Sequence, residues 1–332
     1  MPRKKQLSNT ERAFRTSITF GCLLMLAVAA HTFLEFGGSF DDKPQIVGRE
    51  IHGPAELQIA LARQGFSPGS IDGVEGHQSR QALRAFQSAN GLEPTGLLDE
   101  ATSEILRILD PTHARIEITV SSLASIDPKP QSWIERGERS RMAYHSIIEL
   151  IAEKTQSNPD YIKNLNPTTD WSKLKAGDHI LAPLVKPFKI DSPIDKLEIT
   201  LSARSLTALS RTGEILFYCP VSIARKVEKR PTGELRVDVR VADPNYTFNP
   251  KILSAAAQRE GITDKFIIQP GPNNPVGTVW IGLNLPSYGI HGTPEPELVG
   301  RTESSGCFRL ANWNAESLLA AIEVGTRILV YP

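Results

Sequence analysis

Hydrophobic and polar positions divide the chain into segments of different period. From Pro54 three short stretches show apolar residues at helical spacing: Leu57, Ala60 and Leu61, then Ala82, Leu83 and Phe86, then Ala101, Ile105, Leu106 and Leu109. The loop between the first two, Gly65-Phe66-Ser67-Pro68-Gly69-Ser70-Ile71-Asp72-Gly73, is dense in turn formers, and Asn90-Gly91 stops the second helix. Arg115 to Val120 alternates at period two and predicts a connecting strand, and the mixed segment Ser121 to Glu138 predicts a linker. Ile147 to Ala152 returns to helical spacing. From Lys189 onward strand patterning dominates, in Leu197–Leu201, Leu206–Leu209, Ile215–Ile223, Leu235–Val241, Val279–Leu283 and Ile328–Tyr331, with helices expected only near Ser254–Glu260 and Ala315–Glu323. Arg211-Thr212-Gly213-Glu214 suits a hairpin turn, and Asn245 to Asp264 is placed to form a flap. This predicts a small three-helix unit, an α+β unit and a mostly-β sandwich or barrel-like domain.

The chain has 332 residues, enough for two or three domains. Its 37 basic and 37 acidic residues balance, and no dense Lys/Arg block follows residue 5, so neither nucleic acid nor an anionic membrane surface is expected as main partner. The N-terminus has the order of a targeting segment: Arg3-Lys4-Lys5, Arg12 and Arg15, then an apolar run from Ile18 to Ala30. With Phe33, Leu34 and Phe36 the run reaches the roughly 18 to 20 residues of a membrane span. Export is therefore expected, by a cleaved signal or an uncleaved anchor, with residues 37–52 as a tether and the bulk of the chain outside the cytoplasm. After Cys22 only Cys219 and Cys307 remain, which excludes a disulfide framework, and Cys219 in its apolar run is expected to be a buried, inert thiol.

Candidate chemistry gathers in Tyr288–Asn314. Cys307 lies in the small-residue turn Ser304-Ser305-Gly306-Cys307, with His291 16 positions before it. A thiol attacks carbonyls as thiolate, and His291 is the available base. Gly306 and the amide of Cys307 are candidate oxyanion donors, and Arg309 is spaced to emerge on the face of Cys307. No C-x-x-C or H-x-x-x-H pair completes a metal set, so neither a metal nor another cofactor is expected.

His291-Gly292-Thr293 followed by Ser304-x-Gly306-Cys307-Phe308-Arg309 resembles the signature of L,D-transpeptidases, cysteine enzymes that cross-link peptidoglycan stem peptides. Arg230-Pro231-Thr232-Gly233 and Pro272-Asn273-Asn274-Pro275-Val276-Gly277 resemble two further turns of that family. One departure is Ser305, where many members carry His. The helical stretch resembles a peptidoglycan-binding three-helix domain through Leu57-Gln58, Gly65-Phe66, Ile71-Asp72-Gly73, Phe86-Gln87, Gly91-Leu92 and Thr95-Gly96. Residues Tyr144 to Pro183 resemble the later part of a lysin-motif module, a βααβ glycan binder, without a recognisable opening strand.

The resemblance implies an N-terminal segment (1–36), the tether (37–52), a helical peptidoglycan-binding-like domain (53–110), a linker (111–139), a lysin-motif-like module (140–185) and a catalytic domain (187–332). It also implies that Cys307 is the nucleophile, His291 the general base and acid, and the Gly292 carbonyl the group orienting His291. Gly306 would serve the oxyanion, Arg309 would orient substrate or turn, and Tyr288, Ser304 and Ser305 would contact substrate. Peptidoglycan, both stem peptide and glycan, is the implied partner, with the membrane touched only by the N-terminal segment. Cross-linking, L,D-carboxypeptidase action, protein anchoring to the wall and non-catalytic wall binding all remain open at this level.

Overall fold

The computed structural model describes residues 48–304 and 306–332. The signal or anchor, most of the tether, and Ser305 lie outside the described residues. The tether's end, Gly48 to His52, belongs to the helical unit: Arg49 exchanges backbone hydrogen bonds with Ile108 at 3.1 and 3.0 Å, and its guanidinium pairs with Glu56.

Helices α1 (Pro54–Arg63), α2 (His77–Ala89) and α3 (Glu100–Ile105) form the first unit. Leu57, Ala60, Leu61, Ala82, Leu83 and Phe86 are buried together, as their spacing requires. The third stripe differs. α3 has only six residues, Ala101, Ile105 and Leu109 face solvent, and the helix instead buries Thr102, capped by the Asp99 carboxylate. Two buried glutamines staple the loops. Gln58 accepts from the amides of Asp72 and Gly73 and donates to the Asp72 carboxylate, and Gln87 donates to Thr95, Leu97 and Thr102.

The turn-dense loop is occupied by protein contacts. Ser67 N donates to Tyr218 O at 2.8 Å, Ile71 N to Gln156 O at 2.8 Å, and Arg301 pairs with Asp72 at 2.9 Å.

The expected linker 111–139 is structured. β1 (His113–Glu117) pairs antiparallel with β2 (His179–Pro183), and α4 (Val120–Ala124) and α5 (Trp133–Glu138) follow β1. With α6 (Ile147–Lys154) and α7 (Pro159–Leu165) this gives strand, helices, strand around a core of Ile118, Leu150, Ile151, Ile162, Ile180 and Ala182. The opening strand of the α+β unit is thus β1, displaced from α6 by the inserted residues 118–146.

The C-terminal domain is built on an eight-stranded sheet of order β11-β10-β9-β6-β12-β3-β4-β5. Its strands are β3 (Lys196–Thr200), β4 (Ser205–Leu209), β5 (Ile215–Pro220), β6 (Gly233–Ala242), β9 (Val279–Leu283), β10 (Gly289–His291), β11 (Phe308–Arg309) and β12 (Arg327–Tyr331). β6 joins the two halves. Its first residues pair with β12, its last with β9, and a bulge between Val237 and Val239 lets one strand serve both. The halves enclose one core, which includes Leu197, Phe217, Val237, Ile281, Phe308 and Ile328 and is closed by α9 (Asn312–Ala321). Between β6 and β9 a flap protrudes: β7 (Tyr246–Phe248), α8 (Ser254–Glu260) and β8 (Phe266–Ile268), with β7 and β8 antiparallel. Among the described residues no helix is long and apolar enough to cross a membrane.

Candidate active site

β9, β10 and β11 build the site at one edge of the sheet. β10 runs antiparallel to β9, with His291 opposite Trp280, and parallel to β11, with His291 opposite Arg309. The turn before β10 is tight. Ser287 adopts φ 66°, in the left-handed region, which turns its carbonyl toward the thiol, and Cys307 Sγ donates to it at 3.5 Å. The Gly289 amide also points at this sulfur. Gly289 and His291 are two residues apart on one strand face, a rise of roughly 6–7 Å. The register therefore brings sulfur and imidazole to the same stretch of β10.

His291 is buried, and its Nδ1 lies 2.6 Å from the Gly292 carbonyl. That acceptor fixes the proton on Nδ1 and leaves Nε2 free to take one. Trp280 stacks against the imidazole with centroids 5.8 Å apart. A Cβ on Gly289 would come within 2.7 Å of the Trp280 ring, so only glycine there lets the indole lie along β10. Burial, with Arg309 adding to it, lowers the His291 pKa to about 4 against the hydrogen bond to Gly292. Burial raises the Cys307 pKa, opposed by the Gly289 amide and the Arg309 charge. At neutral pH the resting pair is thiol and neutral imidazole, not the thiolate held by His291 that the residue types alone imply.

Asn312, fully buried at the start of α9, ties the site to its surroundings. Its Oδ1 accepts from Thr293 N at 2.9 Å and Thr278 N at 3.3 Å, and its Nδ2 donates to the Glu153 carboxylate at 3.0 Å. A Cβ on Gly292 or Gly277 would fall 2.1 Å from Asn312 Oδ1. The Pro272–Gly277 turn is thereby pressed against Gly292-Thr293.

The remaining predicted positions separate. Ser304 is buried and shapes the turn: its hydroxyl donates to the Cys307 carbonyl at 2.5 Å and accepts from the Gly306 amide at 3.3 Å. Tyr288 is half-buried: it packs against the domain core and closes the tight turn with its backbone. Arg309 is half-buried, reaches the Glu303 carbonyl at 3.4 Å, and feels the charges of Glu295 and Cys307. Arg230 donates to the Ala224 carbonyl at 2.6 Å, bracing the loop beside Ser304. Cys219 is fully buried, its pKa driven up by burial, and both Cys219 and Cys307 are free thiols.

Trp280, Asn312 and Tyr246 carry no sequence signal. Tyr246, on β7, is close enough for the Cys307 charge to raise its pKa beyond the effect of burial. Beside the site, a cavity of about 290 Å³ is lined by Arg136, His145, Glu149, Glu153, Asn273 and Glu295 among others. Among the described residues no group of three or more His, Cys, Asp or Glu side chains is placed to hold a metal ion.

Residues 195–330 match the L,D-transpeptidase catalytic domain, and residues 53–106 match a putative peptidoglycan binding domain. The chain is 27% identical over 184 residues to the putative L,D-transpeptidase YkuD of Bacillus subtilis, covering 55% of this chain and 92% of that protein. It is 24% identical over 185 residues to the putative L,D-transpeptidase YkuD of Bacillus licheniformis, covering 56% and 93%. A solved L,D-transpeptidase from Xylanimonas cellulosilytica aligns with a TM-score of 0.34 and 17% identity, covering 87% of this chain and 98% of that one. The region that holds the Cys307–His291 edge, residues 195–330, is thus an L,D-transpeptidase catalytic domain.

Proposed function

We propose that Cys307 carries the acyl group of a peptidoglycan stem peptide and passes it to an amine of a neighbouring stem. The observation that carries this reading is the placement of Sγ at the Ser287 carbonyl and Gly289 amide, at the start of the strand that carries the buried, neutral His291. In the first step Sγ forms a bond to the carbonyl carbon at the L-centre of the stem's diamino acid, and its proton passes to His291 Nε2. The developing oxyanion is met by the backbone amide of Cys307; the Gly306 amide, expected from the sequence to share this task, is engaged by the Ser304 hydroxyl. The C–N bond to the terminal D-residue breaks, and the amine leaves with the proton from Nε2. In the second step the acceptor amine gives a proton to His291 and attacks the thioester, which returns the thiol and forms the cross-link. Arg309, between Cys307 and Glu295, favours the transient thiolate and disfavours a resting imidazolium.

The strand, helices, strand order of residues 113–183 supports reading the α+β unit as lysin-motif-like, and the N-terminal pattern fits delivery to the envelope by a signal or anchor. Water as acceptor would give a carboxypeptidase, and a protein lysine would give wall anchoring.

Incubating the purified protein with labelled disaccharide-tetrapeptide and sizing the products by mass tests the reading. Cross-linked dimer is expected, lost in Cys307→Ala. Tripeptide alone would replace cross-linking by hydrolysis, and equal turnover in Cys307→Ala would remove the mechanism.

A further inference from the structure

The flap above the candidate site is not held by the catalytic domain alone. Its inner side chains, Phe248, Ala256, Ala257 and Ile268, share a core with Met142 and Trp133, which belong to the segment inserted between β1 and α6. Trp133 packs on Phe248 at 5.0 Å, and Phe248 stacks on Phe266 at 4.9 Å. The start of α5 closes over the end of α8: the Trp133 and Ile134 amides donate to Glu260 Oε2 at 2.8 and 3.3 Å. Gly137 lies flat on Phe266, where a Cβ would come within 2.6 Å of the ring. Beyond the flap, Met142 N donates to Pro270 O at 2.9 Å, and Asn273 returns hydrogen bonds to Met142 O and Ala143 O at 3.1 and 2.8 Å.

The insertion therefore grips the flap at its helix, its aromatic core and its exit strand. A three-residue β7–β8 ladder is too short to hold such a hairpin rigid without added packing. The turn that leaves the flap is pressed on the catalytic strand's end, where a Cβ on Gly277 would fall 2.6 Å from the Gly292 carbonyl carbon, and Tyr246 at the start of β7 feels the charge of Cys307, so the flap is tied to the site at both its ends. On the other side of α5, Arg136 lies 4.9 Å from the Trp133 ring and extends to the cavity wall that includes Glu295, which in turn faces Arg309.

We propose that Trp133 and Glu260 are positioning residues, and that the inserted segment 118–146 of the α+β unit acts as the clamp that holds the flap over Cys307 and sets substrate access. The clamp makes the α+β unit and the catalytic edge one device, so its loosening alters access to the thiol before it alters the sheet. The proposal rests on Cys307 being the acyl carrier only for its kinetic consequence. The accessibility of the thiol is independent of that role.

The test uses the full chain with Trp133→Ala and, as a second variant that removes the acceptor of the Trp133 and Ile134 amides, Glu260→Ala. Two measurements are made: the rate of iodoacetamide alkylation at Cys307, read by peptide mass, and the kcat and KM for tetrapeptide turnover. A released flap raises the alkylation rate about fivefold, the consequence of losing one to two hydrogen bonds. KM rises more than kcat falls, and Trp133→Phe restores both. Combining Trp133→Ala with Glu260→Ala should give less than the product of the two single rises, since both act through one element. Unchanged alkylation and KM in Glu260→Ala with normal circular dichroism would overturn the clamp. Faster alkylation with no turnover even in the wild type would uphold the clamp and remove the acyl-transfer reading instead.

Discussion

Glu153 gives the sharpest thermodynamic test of how the α+β unit is joined to the site. Its carboxyl is buried between α6 and α9, takes hydrogen bonds on Oε1 from Asn312 at 3.0 Å and Tyr144 at 3.4 Å, and has the charges of Glu316 and Glu149 nearby. Burial pushes its pKa up to about 8 from an ordinary 4.5. The native state thus holds a proton that the unfolded chain gives up. The stabilising effect is complete below pH 4.5 and is withdrawn as pH rises to 8. At ~1.4 kcal/mol per pH unit, that removes about 4 kcal/mol by pH 8. Glu153→Gln keeps the Oε1 acceptor on the same frame and has no proton to lose. The variant should match the wild type near pH 4.5 and exceed it by about 2 to 4 kcal/mol at pH 8, allowing for local relaxation. Urea unfolding of both proteins at pH 5, 6.5 and 8 measures the difference. His291 acts with the opposite sign, since its neutral form is favoured in the fold and its stabilisation is lost as pH falls from 6.5 toward 4. It is present in both proteins and cancels. A stability difference that stays constant across this range would refute the buried, protonated carboxyl.

Two further outcomes follow from the site. With His291 neutral down to about pH 4, the acid limb of kcat/KM for tetrapeptide turnover should fall near that value, and an inflection at 6.5 would show a solvated imidazole. Gly292→Ala would drive a Cβ against Asn312 Oδ1 and free the Thr293 and Thr278 amides, costing about 3 kcal/mol in urea unfolding together with most of the turnover. A Gly292→Ala protein of unchanged stability would mean that Asn312 has room to move.

The sequence alone determined the local order of this protein. Strand patterning located β3, β4, β5, β6, β9 and β12: β3 and β12 alternate because one face is buried, whereas β4, β5 and β9 are short apolar runs buried on both faces. Ser254–Glu260 forms the predicted helix to the residue, and the paired spacing of His291 and Cys307 marked the edge where the chemistry lies. Tertiary structure decided what depends on partners distant in the chain. The alternation of Arg115 to Val120 announced a strand, but only its pairing with β2 some 60 residues later made β1 the opening strand of the α+β unit. β6 serves both halves of the sheet through a bulge that alternation cannot announce. The neutrality of the thiol and imidazole, the seat of Trp280 beneath the ring, the anchoring of Thr293 by Asn312 and the grip of Trp133 on the flap all arise from burial and contact. Residue identity fixes which groups can ionise, and the folded surroundings fix which of them do.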